Sequence, residues 1–334
     1  MRKDARASVF RRFLLDTFGK DTLSEGAGVL DVAGGKGEIS FQLLNLNGIK
    51  ATVVDPRPLQ LPQFRRRLAC GMYHRNAILA TAEHVSEPLD SSAPPKVPGH
   101  LPLCLDEALL EFAGFAELGG MSCRSCEGEV PGCRSKTEHM PSTQLQAGHN
   151  VMRCAPLHSD EDDEDVGFLR SAWERARQLR LTHAELHEDG TADDDESERS
   201  SKANKPSCAC DGGCCSDGGG GSAADVDTEA APPLPGRVLE LLREASIIVG
   251  MHPDQATEAI VDLALRSAKP FAVVPCCVFS ADSPNRRLED GRTVVNYTQF
   301  VRYLLEKGRK AGRVVEAQTL PFDGKNVVLF AKPL

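Results

Sequence analysis

A single stretch of this chain, Val29 to Pro56, limits its fold more than any other: VLDVAGGKGEISFQLLNLNGIKATVVDP. An apolar run carries an acid at Asp31, and a glycine-rich turn follows, Ala33-Gly34-Gly35-Lys36-Gly37. Ile39, Leu43 and Leu46 then recur at helical spacing, with Phe41 and Leu44 widening the apolar stripe. A second β-branched run, Ala51 to Val54, closes on Asp55 and Pro56. Strand, glycine loop, helix and strand in that order form the βαβ unit that holds an adenosine-containing cofactor. Glycine in the turn lets the backbone approach a ligand where a Cβ would clash. Asp55, at the tip of the second strand, is placed to accept hydrogen bonds from ribose hydroxyls. A turn that only packs a helix on a sheet does not readily explain both acids.

The loop departs from the dinucleotide pattern G-x-G-x-x-G, because Ser40 stands where the third glycine is required. The run Asp31-Val32-Ala33-Gly34-Gly35-Lys36-Gly37 instead resembles motif I, D/E-x-G-x-G-x-G, of the class I S-adenosylmethionine-dependent methyltransferases, with Ala33 replacing the first glycine. The resemblance implies a Rossmann-like α/β fold and S-adenosyl-L-methionine as cofactor. It implies that Asp31, Ala33, Gly34, Gly35 and Gly37 line the methionine side and that Asp55 and Pro56 lie at the ribose.

Charge is unevenly spread. Residues 1–80 and 232–334 together carry a net +9, whereas residues 81–231 carry −18. The expected organisation is therefore one α/β domain in two halves, 1–80 and 232–334, split by an acidic, low-complexity insert. The runs EDDEDVG and DGTADDDESERSSKANKPS and the tract GGCCSDGGGGSAADVDTEAAPP lack the apolar residues of a core. The insert is expected to be largely disordered, apart from an apolar island at 103–115 and a helix from Phe168 to His187. A mildly basic folded part is compatible with a polyanionic substrate.

Twelve cysteines without a secretory signal imply reduced thiols. Cys123, Cys126, Cys133 and His139 have the ligand types of a zinc site, but the second close pair of a zinc knuckle is missing. Cys208, Cys210, Cys214 and Cys215 lie in a glycine tract without apolar support. No run of about 18 apolar residues is present, so no membrane span is expected. The arginine-rich start suggests a mitochondrial presequence, against which stand Asp4 and Asp16; a cytoplasmic or nuclear setting is expected. The first helix, residues 4–18, buries Phe10, Phe13, Leu14 and Phe18 and is expected to leave Arg11 and Arg12 on a solvated basic face.

Order returns near Leu234. SIIVGMHPD (246–254) reads as a strand and Gln255 to Ser267 as a helix. FAVVPCCVF (271–279) is the next strand, Tyr297 to Lys307 a helix, and VVEAQTLPF and NVVLFAKP a closing hairpin about Asp323-Gly324-Lys325. Six strands are clear and the third is expected to be lost or buried in the insert. A mostly parallel sheet with a C-terminal antiparallel hairpin favours the methyltransferase fold over a dinucleotide dehydrogenase.

Ligands of open α/β sheets collect at the carboxyl ends of the strands. Two of those ends supply acceptor-side candidates, His252 and Asp254 after the fourth strand and Cys276 and Cys277 after the fifth. His252 is a candidate base or acceptor-orienting residue, and Asp254 a candidate catalytic residue or the cap of the next helix. Cys276 and Cys277 are small buried strand-end residues, or include a nucleophile that His252 activates, or a thiol that shapes the acceptor pocket without bonding to it. Pro275-Cys276-Cys277, preceded by His252-Pro253-Asp254, resembles a group of methyltransferase-like proteins that includes the methyltransferase domain of the glutathione S-transferase C-terminal-domain-containing proteins. Several of these have H-x-C-G-D where this chain has His252-Pro253-Asp254. No metal is assigned to the strand ends. The resulting expectation is a methyltransferase whose acceptor is RNA first and protein second. A catalytically silent cofactor-binding interaction module and an NAD-dependent oxidoreductase are the alternatives.

Overall fold

The computed structural model describes residues 5–75, 94–115, 163–188 and 233–334. Helix α1 (Arg6–Ser24), interrupted at Gly19 where φ is 76°, precedes strand β1 (Gly28–Val32). Helix α2 (Glu38–Asn47), β2 (Ala51–Val54), α3 (Pro62–Ala69) and the short α4 (Met72–Arg75) follow. Next come β3 (Gly99–Leu101), α5 (Glu107–Phe112) and α6 (Asp163–Glu188). The C-terminal part contains α7 (Pro235–Glu244), β4 (Ala245–Met251), α8 (Thr257–Arg266) and β5 (Phe271–Val274). It ends with α9 (Tyr297–Lys310), β6 (Glu316–Thr319) and β7 (Val327–Ala331).

The strands form one seven-stranded sheet in the order β3-β2-β1-β4-β5-β7-β6. β1 to β5 pair in parallel, and β7 runs antiparallel to both β5 and β6. The mostly parallel α/β sheet and its antiparallel hairpin agree with the sequence. Alternation along the strands builds two cores, because successive side chains point to opposite faces. Val29, Ile247, Val249, Ala272, Val274, Val328 and Phe330 pack with α1 and α2. Leu30, Val32, Ile248, Phe271, Val273, Leu329 and Ala331 pack on the other face with residues of α7, α8 and α9. The capping box of Asn296 and Gln299 starts α9, as its sequence allows.

Four expectations are refined or corrected. Of the two alternatives for the third strand, the second holds: it is β3, within the stretch 81–231 expected to be the insert. Three residues, Gly-His-Leu, give no alternation to detect. Gly99 opposes Thr52, where a Cβ would come within 2.6 Å of the Thr52 hydroxyl, so close pairing to β2 selects glycine. Second, α5 and α6 contribute core: Leu109, Leu110, Leu169 and Trp173 are buried in the same cluster as β1 and β4. Third, Arg11 is fully buried rather than solvated. Its Nη1 donates to Asn47 Oδ1 at 3.0 Å between α1 and α2, and burial lowers its pKa to about 10. Fourth, β5 stops at Val274, because Pro275 has no N–H to continue the ladder.

Cys123, Cys126, Cys133, His139, Cys208, Cys210, Cys214 and Cys215 lie outside the described residues, as do the acidic runs that follow Glu188. No described helix is long and apolar enough to cross a membrane.

Candidate functional site

The chain runs from β1 outward to β2 and β3, then returns to β4 on the other side of β1. Strand order reverses between β1 and β4, and the crevice beyond their carboxyl ends is where sheets of this kind bind ligands. The cofactor and acceptor-side candidates singled out from the sequence lie along this edge. Ala33 N–H donates to Val54 O, and Asp55 N–H to Leu101 O, so the ends of β1, β2 and β3 are level. His252 N–H donates to Val274 O, which aligns the ends of β4 and β5.

The glycine turn is shaped by what lies beneath it. Ala33, in the position of the first motif glycine, has φ 53°, a left-handed conformation that glycine adopts freely and alanine does not. A Cβ on Gly34 would meet the Asp31 carboxylate at 2.7 Å, so the buried acid by itself requires glycine here. Gly37 caps α2 with φ 83°, and a Cβ there would strike Leu59 at 2.8 Å. Asp31 is wholly buried under the turn. Ser40 Oγ donates to its Oδ2 at 2.8 Å, while Oδ1 has no hydrogen-bond partner among the described residues. Burial, with the charge of Asp55 added, raises the Asp31 pKa to about 7 against the opposing Ser40 hydrogen bond. A cationic ligand group reaching Oδ1 would need the turn to shift and would favour the ionised acid.

Asp55 is also wholly buried, and its carboxylate is fully used. Oδ1 accepts from the backbone N–H and the Nε of Arg57, at 2.9 and 3.0 Å. Oδ2 accepts from Gly35 N–H at 2.9 Å and from Arg57 Nη2 at 3.0 Å. Burial alone would raise its pKa, but these bonds and the Arg57 charge hold it below the usual carboxylate range. Pro56 leads the turn that carries Arg57. From β3, His100 Nε2 lies 2.9 Å from the Asp55 carbonyl oxygen and fixes the acid's backbone. Sequence reasoning missed Ser40, Arg57 and His100 as site residues. The missing third glycine marked Ser40 and proximity to Asp55 marked Arg57, whereas only tertiary pairing brings His100 here.

At the end of β4 two residues without glycine's freedom take left-handed backbone, His252 at φ 56° and Asp254 at φ 47°, on either side of Pro253. Such conformations cost on the order of 1–3 kcal/mol each and persist where surrounding structure imposes them. Asp254 does not cap α8 with its side chain, contrary to one expectation. Its carbonyl accepts from Thr257 Oγ1, and its carboxylate accepts from the Cys276 thiol at 3.0 Å.

Cys276 is half-buried and Cys277 exposed, and both sit beyond the strand, so neither is the fully buried strand-end residue of the packing reading. The nucleophile reading is opposed as well: burial, reinforced by Asp254, pushes the Cys276 thiol up to about 12. Asp254, and not His252, is the neighbour that bonds the thiol. His252 turns toward Phe322 instead, with ring centroids 6.2 Å apart, and its Nε2 is buried without a hydrogen-bond partner among the described residues. Burial and the Arg6 charge lower its pKa against the pull of Asp254, so the imidazole is neutral near neutral pH. Two cations rest on aromatic rings, one of them the ring that His252 faces. Arg6 lies 5.8 Å from the Phe322 centroid and Lys325 4.2 Å from that of Tyr297.

No protein-family model, curated protein or solved structure matches the chain.

Proposed function

We propose that this protein is an S-adenosylmethionine-dependent methyltransferase with an RNA acceptor. The observation that carries the reading is the pair of buried acids, Asp31 and Asp55, at the ends of adjacent parallel strands and bridged by the glycine turn. The sheet supports it. It departs from the all-parallel dinucleotide order 3-2-1-4-5-6 by the antiparallel β7 inserted between β5 and β6. Ser40 argues against a nicotinamide cofactor: it replaces the third glycine of that fingerprint and is committed to Asp31.

The residues present fit the cofactor. Asp31 has one carboxylate oxygen unpartnered in a buried position, suited to a cationic amino-acid end, and Asp55 can serve a ribose diol once Arg57 leaves. When bound, the cofactor supplies a methyl group already activated on a sulfonium. The chain then has to orient the acceptor in line and exclude water. His252, neutral and unpartnered at Nε2, is the group able to take a proton from an acceptor N–H or O–H. Arg6 and Lys325 offer phosphate contacts, Lys325 beside the partly exposed ring of Tyr297, on which a base can stack, which favours RNA over protein.

Calorimetry against S-adenosylhomocysteine and NAD, followed by transfer from labelled S-adenosylmethionine into fractionated cell extract, tests this reading. Binding of the first ligand alone and label in RNA are expected. Binding of NAD alone would overturn the cofactor, and label confined to protein would overturn the acceptor. Cofactor binding with no transfer into any fraction would make the protein a silent binding module.

A further inference from the structure

We propose that Asp254, Cys276 and Cys277 form a binding site for a borderline-soft divalent cation of the zinc class, at the carboxyl ends of β4 and β5. The inference does not depend on the methyl-transfer reading. In the sequence these residues look like two separate strand ends, 22 positions apart between Asp254 and Cys276. The structure brings one carboxylate oxygen and both sulfurs to within 4.8 Å of one another. Donor atoms around a tetrahedral zinc ion stand about 3.5–4 Å apart, given Zn–S near 2.3 Å and Zn–O near 2.1 Å. The observed set reaches that arrangement by side-chain rotation.

Two backbone features permit the convergence. β5 ends at Val274, so Cys276 and Cys277 escape the alternation that would send adjacent strand residues to opposite faces. Asp254 is held at φ 47° after Pro253, where its carboxylate meets the Cys276 thiol and not the orphan amides of α8. The strained conformation therefore serves a contact between side chains rather than a helix cap.

Donor chemistry selects the ion. Two sulfurs and one carboxylate suit zinc, whereas magnesium and calcium require oxygen ligands throughout. Three protein ligands leave a fourth position for water or a substrate atom, the pattern of reactive rather than structural zinc sites. Cys277 and Asp254 are exposed, which gives an ion a path inward. Binding would replace the Cys276 thiol proton now shared with Asp254, and both thiols would leave their protons to buffer.

The test uses the full chain, because eight of its twelve cysteines lie outside the described residues and could also hold metal. Metal-stripped protein is titrated with Co²⁺ under anaerobic conditions, with sulfur-to-metal charge transfer as the readout and bound metal counted by elemental analysis. The expected result is loss of one equivalent in Cys276→Ser/Cys277→Ser and none in Cys123→Ser/Cys126→Ser. Asp254→Asn should weaken that same equivalent. Alkylation mapping on the unaltered chain guards against a variant that misfolds: Zn²⁺ should protect Cys276 and Cys277 from iodoacetamide, and Mg²⁺ should not. Equal stoichiometry in the Cys276/Cys277 variant, or equal alkylation with and without Zn²⁺, would overturn the site.

Discussion

Replacing Arg57 by alanine is expected to tighten the binding of S-adenosylhomocysteine. A carboxylate has about four acceptor positions, and at Asp55 all four are filled. Two go to backbone N–H groups, of Gly35 and Arg57, and the Arg57 side chain takes one on each oxygen. A ribose diol offers two donors and needs those same two positions, so the guanidinium must leave first. Apparent affinity is then reduced by the fraction of molecules in which it has left. The pair is bidentate, but the Arg57 side chain is 51% exposed. Solvent screening therefore puts its strength at about 1 kcal/mol, the upper end for surface pairs, and not at the several kcal/mol of a buried one. A preference of that size leaves roughly one molecule in six open, so Arg57→Ala should bind about sixfold more tightly. Asp55→Ala should instead weaken binding by roughly 1.5–3 kcal/mol, the value of a hydrogen bond to a charged group. In the double variant the gain from removing Arg57 should vanish, since no carboxylate remains to be released. Calorimetric titration of the four proteins near neutral pH decides the matter. Weaker binding by Arg57→Ala would mean that the guanidinium holds the ligand, and the argument from acceptor positions would fail.

Asp31 and Glu258 should leave opposite marks on the pH dependence of folding. The Asp31 pKa is raised by burial from 3.8 to about 7, so its contribution is present below about pH 4 and lost as pH rises toward 7. Asp31→Asn should flatten this loss of stability, by a few kcal/mol, in denaturant titrations between those limits; parallel slopes in variant and parent would refute it. Glu258 accepts from Arg286 Nε, Tyr303 Oη and Lys307 Nζ at 2.6–2.7 Å. Burial opposes its ionised form, but the Lys307 charge and these bonds lower its pKa from 4.5 to about 2. Its contribution is therefore present above about pH 4.5 and lost as pH falls toward 2. Glu258→Gln should cost roughly 2–3 kcal/mol at neutral pH and little near pH 2; an unchanged thermal midpoint at neutral pH would rule this out. Trp173→Ala should destabilise by about 3 kcal/mol, because a buried indole in the β1/β4 core is removed. A shift in the circular-dichroism melting temperature within error of zero would show that α6 is dispensable.

Local signals made much of this protein legible in its sequence. β-branched runs, helical apolar spacing and the Gly34-Gly35-Lys36-Gly37 turn are short-range patterns, and they located β1, α2, β2, β4 and the β6–β7 hairpin. The same patterns put Asp31, Asp55, His252, Asp254, Cys276 and Cys277 at strand ends, since a strand's end is marked where its apolar run stops. What a side chain touches there depends on strand order, which no local pattern encodes. Pairing of β3 beside β2 brought His100 to the Asp55 carbonyl, though three residues of Gly-His-Leu carry no periodicity to read. Burial of Arg11 and Trp173 came from helices meeting side by side on one face of the sheet, α1 with α2 and α6 with α5 and α7, and charge or insert composition pointed the other way for both. Adjacency of β4 and β5 turned Asp254 from a helix cap into the partner of a thiol, because an exposed acid bonds to the nearest donor in space and not to the nearest in sequence. The sequence by itself determined which chemical groups stand at the sheet's edge; only the tertiary structure decided which of them meet, because contact between strand ends requires the parallel pairing that places them side by side.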